Sequence, residues 1–303
     1  MEPEGMRRIF GRSLERYNVK YAYYISDGDS KTYSELLELD PYPGLKIQKQ
    51  EDINHFQKRM GGNLRRLKKK LGKNVLSDGK SIGGSGRLTD AFITSLSMYY
   101  GMALRTNQDS VQNMYKSVWA TFYHYSSTDE DPQHFYCPEG ETSWCQWQRA
   151  AQRNELDSFR HKKVIPGPVM EAVKPIYEAL TKAELLERCL GAKSQNVNEA
   201  FNQLVWKLCP KSHNTGHMIV KIAVYSVVGQ FNDGAQSKRK IMEALQLHVG
   251  NFARTCLEEE DAARIKDADI KQQAATLEAR RAKKTSCQNH GEKPAQGLHA
   301  WIG

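Results

Sequence analysis

Two carboxylates, Asp27 and Asp29, directly follow a segment rich in aromatic and β-branched residues, residues 19–25. This composition predicts a buried strand, and residues 35–39 predict the first turns of a helix. Acids at the carboxyl end of a strand lie where open α/β sheets place their active crevices. Two acids this close repel each other unless a cation lies between them. The pair therefore indicates a Mg²⁺ site, with an Asp-Gly turn capped by Ser30 as the alternative.

Four potential zinc ligands lie in one polar stretch that also contains Pro and Gly: His124, His134, Cys137 and Cys145. Together they offer two nitrogen and two sulfur donors, a set that suits a tetrahedral zinc site. Their spacing is not that of a standard zinc finger. The alternative is that Cys145, which lies between two tryptophans, is simply packed in the interior.

The most basic stretch of the chain contains eight cationic residues and no acidic one: Lys58, Arg59, Arg65, Arg66, Lys68, Lys69, Lys70 and Lys73. Leu64, Leu67 and Leu71 recur at helical spacing, so one apolar stripe anchors a helix whose other faces are cationic. A solvated helix with mixed charges is the usual alternative, but the absence of acids argues against it. We predict that this helix contacts the phosphate backbone of DNA, which gives affinity without reading the base sequence.

A third acid, Glu199, lies in a segment that contains three Asn and one Gln, just before the apolar positions of a predicted helix. The amides indicate a carboxylate that is held by hydrogen bonds at a site. The alternative is an acid that is favoured at this position by the helix dipole.

The totals describe a globular chain of 303 residues with 39% hydrophobic and 26% charged residues. A net charge of +9 favours a polyanionic partner, with nucleic acid ahead of an anionic membrane. Six cysteines over this length fit thiols or metal ligands better than a disulfide framework. The sequence has neither the apolar run of a membrane span nor the features of a signal peptide, so we expect no membrane partner.

The pattern of elements predicts an α/β fold that is mostly α by content. We expect a strand-helix-strand unit with parallel strands over residues 1–57, in which residues 45–49 form the second strand, and a basic helix with an all-α insertion over residues 58–190. Core helices that carry the third acid are expected over residues 191–250, followed by a charged helix and a disordered tail over residues 251–303.

Five motifs occur in the same order as in Mutator-like transposase domains, and the chain resembles that family over about residues 1–265. They are Asp-Gly-Asp-Ser-Lys-Thr-Tyr at 27–33, Asn-His-Phe-Gln-Lys-Arg-Met at 54–60, the Cys-Pro to Trp-Cys segment at 137–145, the Asn-rich segment at 195–202 and Trp-x-x-Cys-Pro-Lys at 206–211. The resemblance implies an RNase H-like core of the DDE type with a large all-α insertion. In that family three acids bind two Mg²⁺ or Mn²⁺ ions for DNA cleavage and strand transfer.

On this resemblance Asp27, or alternatively Asp29, is the second acid and a Mg²⁺ ligand, and Glu199 is the third. The family's first acid lies on an earlier strand that this chain is expected to lack, which makes the RNase H-like core incomplete. Because two acids cannot clamp a metal pair, we expect the chain to be inactive or impaired in catalysis. A second departure from the family is Asp52, which stands where a metal-binding cysteine is common.

The resemblance also implies DNA partners, namely transposon ends and target DNA, and a nuclear location. A homo-oligomer is one option. The alternatives to a transposase are a non-catalytic DNA-binding protein and a zinc-stabilised interaction module.

Overall fold

The computed structural model describes residues 2–26, 30–161 and 164–274. The chain divides into two compact units, Met1–Gln195 and Asn196–Gly303. Asp27 and Asp29 lie outside the described residues, as do residues 275–303, which include the predicted disordered tail.

The first unit begins with a small α/β layer. Its elements are α1 (Glu2–Gly11), α2 (Ser13–Tyr17), β1 (Tyr23–Ser26), α3 (Ser30–Leu39) and β2 (Gln48–Glu51). The two strands pair in parallel, with Tyr23 opposite Gln48 and Ser26 opposite Glu51, which confirms the predicted parallel unit. A small cluster packs around the sheet: Phe10, Tyr24, Leu36, Tyr42 and Ile47. The described residues contain these two strands, and two strands are too few to establish an RNase H-like core.

The basic helix α4 (Ile53–Leu71) follows β2 directly, with Asp52 as its N-cap. The buried Asp52 carboxylate accepts hydrogen bonds from the backbone N–H of Asn54 at 2.7 Å and of His55 at 3.3 Å. It thereby satisfies two of the amides that a helix start leaves unpaired. Asp52, which replaces the cysteine that is common in the family, thus has a structural role as the cap of α4.

The helices after α4 are α5 (Asp90–Thr106), α6 (Val111–Ser126), α7 (Gln146–Gln152), α8 (Gly167–Leu180) and α9 (Ala183–Glu187). The break between α5 and α6 lies at the polar segment 107–110, where the helical periodicity is interrupted. Helices α4, α5, α6 and α8 enclose the main core, to which α4 contributes Phe56, Met60 and Leu64, all fully buried. The regular elements from α4 to α9 are all helices, which is consistent with the predicted α-rich region.

Two glycines let α4 and α5 approach each other closely. A Cβ on Gly61 of α4 would lie 3.2 Å from Oγ of Ser97, and a Cβ on Gly101 of α5 would lie 2.1 Å from Oε1 of Gln57. The same Gln57 oxygen accepts a hydrogen bond from Arg105 at 2.7 Å. A side chain at Gly101 would therefore displace Gln57, whereas one at Gly61 would only make the contact tighter.

The second unit is helical: α10 (Asn196–Leu208), α11 (His217–Asp233), α12 (Gln236–Ala244) and α13 (Asn251–Ala274). Phe201 of α10 packs edge to face on Phe231 of α11, with ring centroids 5.7 Å apart. Asp261 of α13 accepts a hydrogen bond from the Ala235 backbone N–H at 2.8 Å, which joins α13 to the start of α12. Among the described residues, the helices are too short or too polar to cross a membrane.

Replacing Gly62 or Gly101 by alanine separates helix propensity from packing. Gly62 of α4 has no atom within 4 Å of an added Cβ, so Gly62→Ala should raise the free energy of unfolding by about 0.5–1 kcal/mol. Gly101→Ala gains the same propensity but must displace Gln57 and its bond to Arg105, and we expect net destabilisation. Chemical denaturation of both variants measures the difference. Equal stabilities would contradict the close contact between α4 and α5.

Candidate metal centre and basic helix

The four predicted zinc ligands come together around one point in the first unit. His124 lies in the last turn of α6, Cys145 is the residue before α7, and His134 and Cys137 lie in the irregular segment between these helices. The four donor atoms all lie within 4.8 Å of one another. The structure therefore brings together the complete set that the sequence predicts.

The distances between nitrogen and sulfur donors are those of a small tetrahedron. Nδ1 of His124 lies 3.6 Å from Sγ of Cys145 and 3.9 Å from Sγ of Cys137. Nδ1 of His134 lies 3.5 Å from Sγ of Cys145 and 3.7 Å from Sγ of Cys137. Tetrahedral zinc, with its usual bond lengths to sulfur and nitrogen, requires about 3.5 Å along such an edge. The four side chains could hold a metal ion such as zinc after only slight contraction.

Three of the four ligands are buried: Cys145 fully, His134 at 2% exposure and Cys137 at 4%. The His134 ring stacks on Trp147 with centroids 4.9 Å apart, so this tryptophan packs against the histidine while Cys145 faces the cluster. Hydrogen bonding between the two thiols lowers the pKa of Cys145 and raises that of Cys137, and both histidines also favour the Cys145 thiolate. The thiolate is the form of cysteine that binds a metal.

A second layer of hydrogen bonds fixes the orientation of His134. Its Nε2 lies 2.9 Å from Nε2 of His161 and 3.0 Å from Oγ of Ser127. The other ring nitrogen of His161, Nδ1, lies 2.6 Å from Oδ1 of Asp129. If His161 donates its Nδ1–H to Asp129, its Nε2 accepts a hydrogen from His134 Nε2. Nδ1 of His134 is then left unprotonated and points at the cluster, as a metal ligand requires.

Sequence reasoning did not identify Ser127, Asp129 or His161. Each is a common polar residue, and His161 lies 27 positions beyond His134, so no spacing rule connects them. A metal-bound histidine usually donates its other ring N–H to an acceptor. The sequence could therefore predict that His134 has such a partner, but not which residue it is.

The predicted DNA-binding residues fall into two groups on and just beyond α4. Six side chains are exposed: Lys58, Arg65, Arg66, Lys69, Lys70 and Lys73. The other two already have acidic partners. Arg59 contacts the buried Glu51 at 2.7 Å, and Lys68 contacts Asp90 at 3.1 Å. Arg59 therefore neutralises a carboxylate at the end of β2.

Lys58, Arg65 and Lys69 form one stripe along α4. Together with Gly62 they follow the spacing i, i+4, i+7, i+11, which places them on the side opposite the buried Met60 and Leu64. No acidic residue lies within α4. The exposed side of the helix therefore carries cationic residues and no acid.

The predicted catalytic acids remain predictions. Asp27 and Asp29 lie outside the described residues. Glu199 lies in the first turn of α10 with an exposed side chain, where the helix dipole favours a carboxylate. Asp52 is the N-cap of α4, and its Oδ2 also lies 3.3 Å from Nδ1 of His55.

Comparison with known proteins gives one family. No curated protein and no solved structure matches the chain at a significant level. The family match covers α4 and ends at Cys145, so it includes all four donors of the metal centre, whereas Glu199 lies beyond it. The resemblance that the sequence motifs carry is confirmed for this part of the chain: residues 1–145 match the family described as Mutator-like transposase.

Proposed function

We propose that this chain is a transposase-derived DNA-binding protein that contacts the phosphate backbone through α4 and is stabilised by a structural zinc ion. The observation that carries the proposal is the acid-free cationic stripe of α4, because an exposed row of like charges attracts a polyanion. The Mutator-like family match makes DNA the natural polyanion.

The shape of α4 supports a contact with duplex DNA. The helix has 19 residues, which corresponds to a length of about 28 Å. Its apolar side is anchored in the main core and its N-terminus is capped by Asp52, so the cationic side chains project from a fixed support. A fixed row of lysine and arginine suits phosphate contacts, which position a protein on DNA without reading bases.

The chemistry of the donor cluster supports a structural role for the metal. Two histidines and two cysteines fill all four positions of a tetrahedral site and leave none for water or substrate. Catalytic zinc sites keep one position open. The ion would close the irregular segment between α6 and α7, and a zinc-stabilised interaction module is the second candidate function that this cluster favours.

The acids of the chain suggest a second metal site, distinct from the zinc centre. We propose Asp27, with Asp29 as the alternative, and Glu199 as Mg²⁺ or Mn²⁺ ligands of an RNase H-like site of the DDE type. The support is the position of Asp27 directly after β1 and the family match over residues 1–145. Transposon ends as the DNA target and a nuclear location follow from the same ancestry.

The salt dependence of DNA binding tests the contact through α4. Removing three phosphate contacts with Lys58→Ala/Arg65→Ala/Lys69→Ala should reduce the slope of log K against log salt for duplex DNA by about 2.7, at about 0.9 per contact. Fluorescence anisotropy over a salt series measures the slope. The matched control is Lys116→Ala/Lys174→Ala/Lys182→Ala, which removes three exposed lysines of the same unit outside α4. Equal slopes for the two triple variants would refute the role of α4.

Metal analysis tests the zinc centre. Protein purified without chelator should contain about one zinc per chain, because four buried donors form one closed site. Cys137→Ser and Cys145→Ser should each lose most of it and unfold at lower temperature. Cys256→Ser, at an exposed cysteine in α13, is the control that should retain the metal. Zinc content that is the same in all three variants would rule the site out.

The outer hydrogen bond of His161 gives a finer test. Asp129→Asn removes the charged acceptor that orients His161 and, through it, His134, so zinc affinity should fall about 10- to 100-fold. Competition with a colorimetric chelator measures this affinity. Asp131→Asn is the control, since Asp131 is exposed and its side chain accepts from Gln133. If both variants bind zinc equally well, Asp129 has no part in orienting the ligand.

A further inference from the structure

An open cavity of about 620 Å³ lies beside the metal centre in the first unit. Its walls come from α7, which begins directly after Cys145, and from the chain that leads to His161, whose ring contacts His134. Both walls of the cavity therefore continue directly into residues of the metal centre or into a residue that contacts it. Its volume is within the usual range of small-molecule clefts.

Three arginines line this cavity: Arg149, Arg153 and Arg160. Glu155 is the one acid among the lining residues, which leaves a net charge of +2 on the ionised side chains. Arg149 and Arg153 have no ion pair and no side-chain hydrogen bond to the part of the chain that the structure describes. Three guanidinium groups around one space repel one another, and a bound anion would remove that repulsion.

One of the arginines is already held in position. Nη1 of Arg160 donates to the backbone carbonyl oxygens of Asp157 at 3.1 Å and of Phe159 at 2.6 Å. These bonds fix the guanidinium and leave its other N–H groups available to an acceptor. A planar, oriented donor of this kind is suited to a phosphate group.

An aromatic side chain lines the same space. Phe159 is half-buried and packs edge to face against His161, with ring centroids 5.1 Å apart. This contact supports the ring on one side. An aromatic face next to arginines is the combination that binds an unpaired nucleotide, because the base stacks on the ring while the phosphate meets the cations.

We propose that this cavity binds a nucleotide unit of single-stranded DNA, with its phosphate on Arg149, Arg153 and Arg160 and its base against Phe159. The inference rests on the proposed DNA binding of the chain. It adds a second site, which binds single-stranded DNA, whereas α4 binds duplex DNA. A base within a duplex is stacked between its neighbours and cannot lie on the Phe159 ring, whereas an unpaired base can. The α4 surface, by contrast, is convex and needs no unpaired base.

The test compares binding of a short labelled single strand with binding of a duplex of the same sequence. Arg149→Ala/Arg153→Ala should weaken single-strand binding at least tenfold and reduce its log–log salt slope by about 1.4, at about 0.7 per contact. Phe159→Leu should weaken it at least about fivefold with little change in slope, because stacking involves no counterion release. Binding of the duplex, which depends on α4, should change little in both variants.

The control variant is Lys116→Ala/Lys182→Ala, which removes two exposed charges elsewhere in the same unit. Zinc content and thermal unfolding of every variant establish that the fold is intact. If the arginine variant binds single strands as well as the control does, or loses duplex and single-strand binding equally, the cavity is not a nucleotide site. An effect of the arginines without an effect of Phe159→Leu overturns the nucleotide assignment as well.

Binding measurements on the wild-type chain distinguish failure of the cavity proposal from failure of the proposed DNA binding. Duplex binding without single-strand binding overturns the cavity alone and leaves α4 as the DNA contact. Absence of binding to both forms overturns the proposed function and the cavity with it. Inorganic phosphate at matched ionic strength should compete only weakly with the single strand, and full displacement would instead identify a site for free phosphate.

Discussion

The carboxylate of Asp52 ties together three parts of the first unit. It accepts hydrogen bonds from the backbone N–H groups of Asn54 and His55 and, at 3.0 Å, from that of Gln195, while its own backbone N–H donates to Ser26 in β1. Burial alone would raise the pKa of Asp52, but these donors outweigh burial and lower it. Because the folded pKa lies below the unfolded one, the stabilisation is complete at neutral pH and is lost only as the pH falls through the lowered pKa. The cationic helix is thereby fixed at the carboxyl end of the sheet.

A second constraint acts on the irregular segment that joins α6 to α7. Residues 127–145 contain no helix or strand, and a segment of that length in a compact unit needs something to hold it. The apolar packing beneath it is small, with Ala120, Cys137 and Cys145 as its buried members. Side-chain hydrogen bonds at Ser127 and His134 supply part of the support, and four converging donor atoms supply the site for the rest. The metal proposal thus accounts for a region that hydrophobic burial does not stabilise by itself.

The sequence identified features whose signal is local and chemical. The apolar period of α4 and the four metal donors could be found from spacing and residue type, and both are in place. The strands were located less well: residues 19–25 and 45–49 were predicted, whereas β1 is Tyr23–Ser26 and β2 is Gln48–Glu51. Strands of four residues are defined by their partner, and Gln-Lys-Gln-Glu has little β-propensity of its own. Asp129 and His161 were missed for a similar reason, because tertiary contacts alone bring them to His134.

The identity of the cations agrees with the shapes of the two proposed DNA-contacting surfaces. The exposed positions of α4 and its end are mostly lysine, a flexible point charge that can meet phosphates at many registers of a duplex. The lysine and arginine residues that line the cavity beside the metal centre are all arginine, whose planar fork can bind one phosphate in a fixed orientation and can stack on a ring. In these proposals α4 would position duplex DNA through many phosphates, whereas the cavity would hold a single nucleotide. The distribution of lysine and arginine over the unit follows that difference, which total net charge does not reveal.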